Sequence, residues 1–169
     1  MLGLPPFSTW PSLYTSFQWA EGLALAQAFR ESAWMFAIVQ SIHLVALSLF
    51  GGALLLVDLR LLGQGLKQRP LASVARDAQP WLMLGFIVLL ITGVLQFVTK
   101  GVTYYENLIF GPKMQILAIA TIFTFTIRHK VTRMDESRLG PVLPKLVGLV
   151  SIALWTLVTV GGRVIGYFV

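Results

Sequence analysis

The sequence predicts an all-α integral membrane protein, a four-helix bundle with an amphipathic interfacial helix at its N-terminus. Three observations carry that reading. Of 169 residues, 56% are hydrophobic and only 12% charged, about half the charged fraction of an ordinary soluble domain. A domain of this size still exposes much of its surface, so this apolar excess has no interior large enough to hide in. The apolar residues are also gathered into four long runs, and the basic residues into the connections between alternate runs. The 13 Lys+Arg against 7 Asp+Glu give +6, which here reads as an orientation signal and not as a nucleic-acid footprint. The absence of cysteine removes disulfides, thiolate metal sites and cysteine nucleophiles.

Residues 1–32 lack the basic start of a signal peptide. Phe17 to Phe29 (FQWAEGLALAQAF) reads as a helix lying on the outer membrane surface, with Trp10, Trp19, Trp34, Tyr104 and Tyr105 as an aromatic belt. The first span, about residues 33–57 (AWMFAIVQSIHLVALSLFGGALLLV), is long enough to cross with some tilt. The second covers about 81–99. The third, about 108–127, carries Gly111-Pro112 in its first turns, where a missing amide has no helical partner to lose. The fourth is about 146–169. No repeat or domain boundary interrupts this single unit.

The connections after spans one and three hold Arg60, Lys67, Arg69, Arg76 and Arg128, Lys130, Arg133, Arg138, Lys145, nine of the thirteen basic residues. The positive-inside rule places both in the cytoplasm of a bacterial inner-membrane protein, with both termini periplasmic. Asp58 and Arg60 are expected to form an interfacial ion pair or helix-end contacts, and His129 to meet solvent or headgroups.

Hydrocarbon does not solvate charge, so ionisable groups within spans are candidates for function. His43 lies ten residues into span one, about 15 Å of helical rise. Lys113 and Met114 begin span three, Gln96 precedes the end of span two by three residues, and Arg163 lies near the end of span four. All four spans thus offer a polar group to the outer half. A neutral histidine suits haem iron, with methionine as a second axial ligand or a deprotonated lysine in its place. Arg163 suits a propionate. Glycines 51, 52, 85, 93, 161 and 162 would admit a flat macrocycle, or serve close helix packing. The bland alternatives are an interhelical hydrogen bond for His43, snorkelling for Lys113 and Arg163, and structural bonding for Gln96. No HExxH, GxSxG, GxGxxG or P-loop pattern occurs.

The stretches IHLVALSLFGGALLLVDLRLLG, PWLMLGFIVLLITGVLQF and FGPKMQILAIA resemble an uncharacterised family of bacterial four-span membrane proteins, with VDLRLLG and FxxKM the most specific parts. More distantly, the chain is similar to membrane-integral haem-b protoporphyrinogen oxidases and CopD-type copper-resistance proteins. That likeness rests on His43, then Gly51 or Gly52, then Arg60, with Lys113 opening a later span. It implies haem b on His43. The leading expectation is a b-type haem protein moving electrons between a membrane quinone and a periplasmic redox partner. The alternatives are an accessory subunit of a larger membrane complex and a CopD-like metal transport component.

Overall fold

The computed structural model describes residues 4–134 and 140–167, the Ala33 side chain apart. Arg138 of the second basic connection and residues 168–169 of the expected fourth span lie outside the described residues. A short 3-10 turn, Phe7–Thr9, leads into α1 (Pro11–Glu21) and α2 (Ala24–Glu31). The four long helices are α3 (Ala33–Leu61), α4 (Leu71–Thr99), α6 (Phe110–Arg133) and α7 (Val142–Ile165), with the small α5 (Gly101–Glu106) between α4 and α6. All four are long and apolar enough to cross a membrane. At 1.5 Å per residue the 24-residue helices rise about 36 Å, against a hydrocarbon core of about 30 Å.

Each end has a local cause. Ser32 Oγ accepts from the amide of Met35 and starts α3. After α3 the chain turns back through Gly63 at φ +73°, a left-handed conformation that glycine adopts without a Cβ penalty. Asn107 Oδ1 accepts from the amides of Ile109 and Phe110 at 2.9 and 3.1 Å, covering the free donors at the start of α6.

The helices run past the expected spans because apolar runs mark only the hydrocarbon part. α4 starts ten residues before Trp81 and passes through Pro80. Its first turns bury Leu71, Val74 and Ala78 at helical spacing against Val57 and Leu61 of α3, so tertiary burial sustains the helix there. α3 packs on α4 and on α7, and α6 packs on α7. Where α3 and α4 approach closely, a Cβ on Gly85 would stand 2.9 Å from the backbone nitrogen of Phe50. Phe50 itself, with Leu54, Leu82, Ala120, Trp155 and Val158, forms the mid-height core. Large apolar side chains such as Val45, Ile91 and Ile122 cover the outside, as a lipid-facing surface requires.

The N-terminal segment departs from expectation. It is not one helix over Phe17–Phe29 but two, broken at Gly22 and an extended Leu23. The break lets both helices pack on the ends of the long helices. α1 buries Phe17 and Ala20, α2 buries Ala26 and Phe29, and Trp19 stays 70% exposed. The main chain approaches closely at Gly101, where a Cβ would be 2.7 Å from Phe17 O, and at Gly111, where it would be 2.8 Å from Phe7 N. Gln115 Nε2 donates to Pro5 O at 3.0 Å. Burial pushes the Tyr104 phenol up, beneath its near-parallel stack on Phe110. The segment thus caps the end of the bundle that carries both described termini; the other end carries the basic connections.

A carboxylate fastens this cap. Glu21 accepts from the Val102 amide at 2.6 Å, and Arg30 donates to the Glu21 carbonyl at 2.9 Å. Charge-assisted bonds of this kind contribute roughly 1.5–3 kcal/mol. Glu21→Ala is therefore expected to speed amide hydrogen exchange across Gly101–Glu106 by at least about tenfold, while exchange at mid-height in α3 stays unchanged.

Candidate functional site

His43, half-buried on α3, faces α4. Its Nδ1 lies 2.7 Å from Thr92 Oγ1, and that hydroxyl lies 2.6 Å from Val88 O. A carbonyl only accepts, so the Thr92 proton points at Val88, and the hydroxyl must accept from His43 Nδ1–H. This fixes the tautomer and leaves Nε2 with a free lone pair. Gly93 lies alongside, its Cβ position 3.8 Å from the imidazole Cε1.

Lys113 reaches the same region from α6. Its aliphatic stem lies along the glycine pair of α7, 3.6 Å from a Cβ on Gly161, with Nζ 3.4 Å from a Cβ on Gly162. The ammonium is within electrostatic reach of the imidazole. Gln96 follows Thr92 by one helical turn on α4, and its buried Nε2 has no hydrogen-bond partner among the described residues. A buried donor left without a partner costs about 1–3 kcal/mol, so the site favours an acceptor that would take it up.

His43, Gln96 and Lys113 are therefore gathered near the capped end. Met114 instead packs into the apolar cluster of Phe17, Tyr105, Phe110 and Ile165. Arg163 is exposed, its guanidinium 5.7 Å from the centre of the Tyr167 ring. The glycines divide by task. Gly85 admits Phe50, Gly93 lies by His43, Gly161 and Gly162 seat Lys113, and Gly51 and Gly52 have open space beside them.

A second polar cluster, toward the basic end, escaped sequence reasoning. Asp58 does not pair with Arg60, whose Nε donates to Arg69 O. Asp58 is 0% exposed and accepts from Arg128 Nε at 2.7 Å and from Ser151 Oγ at 2.7 Å. Arg128 also donates through Nη2 to Leu54 O at 3.0 Å. α6 widens here into a π-helical stretch, Thr124–Arg128, which turns both Thr124 and Arg128 inward. Trp155 Nε1 donates to Thr124 Oγ1 at 2.9 Å. The available signal was Asp58 itself, a carboxylate continuing an apolar run without a break. The layer of Phe50, Leu54, Leu82 and Trp155 separates this cluster from His43. Among the described residues, no three His, Asp or Glu side chains come together as a ready-made ion site.

The model of the family of unknown function DUF6644 matches residues 16–168. The chain belongs to the DUF6644 family. That match spans all four long helices and both polar clusters, and it begins within α1. No curated protein and no solved structure matches the chain.

Proposed function

We propose that this DUF6644 protein is a b-type haem membrane protein of the bacterial inner membrane, carrying electrons between a membrane quinone and a periplasmic redox partner. The observation that supports it is the oriented imidazole: Thr92 holds His43 Nδ1–H, and Nε2 is left as a Lewis base beside Lys113. The donor set fits haem. A neutral imidazole is a good axial ligand, and its second-shell hydrogen bond is the usual device for orienting one. Haem would supply a one-electron couple.

The chain's own residues take distinct parts. His43 would hold the haem iron and Thr92 would position its imidazole. Lys113, whose amine ligates when neutral, would be better placed than Met114 to supply a second ligand, since Met114 is packed among apolar rings. Gln96 offers its unpaired amide to an acceptor at the site. Arg163, exposed at the same end, takes a propionate or another surface anion. With the basic connections in the cytoplasm, the site lies in the periplasmic half, within reach of an external redox partner.

The test is an oxidised and reduced absorption spectrum of detergent-purified protein from haem-supplemented cells, with a pyridine haemochrome assay. Stoichiometric haem is expected in the wild type and its loss in His43→Ala. Thr92→Val should weaken haem retention by roughly 10–100-fold, the usual effect of removing a ligand's orienting partner. A folded, colourless wild type would overturn the proposal and favour the accessory-subunit reading, for which partner capture is the next experiment.

A further inference from the structure

A cleft between α4 and the widened turn of α6, at the basic end, plays no part in the haem reading. α4 lines it with Ala75, Ala78, Gln79 and Leu82, and α6 faces these with Thr124, Arg128 and His129. The gap is narrow enough to admit a single ligand oxygen but not a whole headgroup. Arg128 is 5% exposed and commits Nε to Asp58 and Nη2 to Leu54 O. Its remaining nitrogen, Nη1, has no hydrogen-bond partner among the described residues, and Arg128 lines the cleft. Asp58, at 0% exposure, sits behind the arginine and is not part of the wall.

Charge around the cleft points the same way. His129 lies within electrostatic reach of both Arg133 and Arg128. Arg76, one helical turn before Pro80 and next to Ala75, is exposed, as are Lys130 and Arg133. The cleft therefore combines a guanidinium donor, an amide donor and surrounding cations with lipid-facing neighbours such as Ile127, 51% exposed. An oxyanion attached to an apolar tail satisfies every part of that arrangement. A freely soluble anion would leave the lipid-facing surface beside the cleft, Ile127 included, unused.

We infer that this cleft binds the phosphate of an anionic phospholipid, one phosphate oxygen entering between Gln79 and Arg128 and the acyl chains lying on the apolar surface outside. The inference needs the bundle to sit in a bilayer but is independent of haem binding. Native mass spectrometry of the full chain in detergent, with equimolar phosphatidylglycerol and phosphatidylcholine, reads it directly. One phosphatidylglycerol should be retained about fivefold over phosphatidylcholine, the effect of one cation near the membrane surface. Arg133→Gln, which removes a cation beside the cleft, should lower that preference by up to about fivefold, and Gln79→Leu, which removes one hydrogen-bond donor, by a similar factor of about fivefold, while Lys67→Gln, exposed on the other basic connection, leaves it unchanged. Arg128 is left intact because its substitution would break a buried ion pair. Equal retention of the two lipids by wild type, or an unchanged preference in both Arg133→Gln and Gln79→Leu, would overturn the inference. Displacement of phosphatidylglycerol by an equal concentration of inorganic phosphate would also overturn it, in favour of a free-anion site.

Discussion

Asp58→Ala is expected to cost about 3–5 kcal/mol, the penalty for leaving a buried partner charge uncompensated. The arginine it leaves behind is 5% exposed, with Leu54 O as its other acceptor, and Ser151 loses its acceptor too. That loss is a large fraction of the stability of a small domain. Thermal unfolding in detergent, read with size-exclusion monodispersity, should show a sharp drop in midpoint and in recovered folded protein. Arg128→Met should do the same from the other side. The double substitution Asp58→Leu with Arg128→Met should recover most of the loss, because it removes both charges together. The exposed pair Arg69–Asp77, 3.2 Å apart with side chains 60% and 53% exposed, provides the contrast: Asp77→Ala should change stability by less than about 1 kcal/mol. Equal effects at Asp58 and Asp77 would mean that the inner cluster does not hold the bundle together.

Gly85→Ala tests the close contact between α3 and α4. The added methyl would sit 2.9 Å from both the backbone nitrogen and the Cβ of Phe50, neither of which yields without moving α3. Overpacking of that kind costs about 1–3 kcal/mol. Gly52→Ala is the matched control, since nothing lies within 4 Å of its Cβ position. There the substitution should stabilise by about 0.4–1 kcal/mol through helix propensity and a less flexible unfolded chain. Opposite signs at two glycines of adjoining helices, measured by unfolding in mixed detergent, would establish that α3 and α4 meet at Gly85. Equal signs would refute that contact.

Much of this architecture was legible in residue order. Four apolar runs predict four helices because a bilayer admits no unpaired backbone, and the alternation of basic connections requires an up-and-down path. The placing of His43, Gln96 and Lys113 toward one end of the bundle was foreshadowed by depth alone, since each lies in the same half of its helix. Depth did not reveal azimuth. Met114 adjoins Lys113 in sequence, yet successive residues on a helix point about 100° apart, and it packs among aromatic rings while the lysine lies on Gly161 and Gly162. Thr92 went unremarked because a threonine in an apolar run is ordinary until its partner is known.

The sequence by itself determined the class, the number of long helices and the separation of a polar end from a basic end, because partition between water and hydrocarbon depends on local composition. Only the tertiary structure decided that Asp58 answers to Arg128 and Ser151, 70 and 93 residues away, and not to Arg60, its neighbour by two. It also decided that the N-terminal segment breaks at Gly22 and caps the bundle. Both outcomes depend on which helix faces meet. In a lipid-facing bundle those faces are chosen by small residues, such as Gly85 and Gly148, that let backbones approach. Hydropathy is nearly uniform around α3, α4 and the first turns of α6 and carries little record of that choice there.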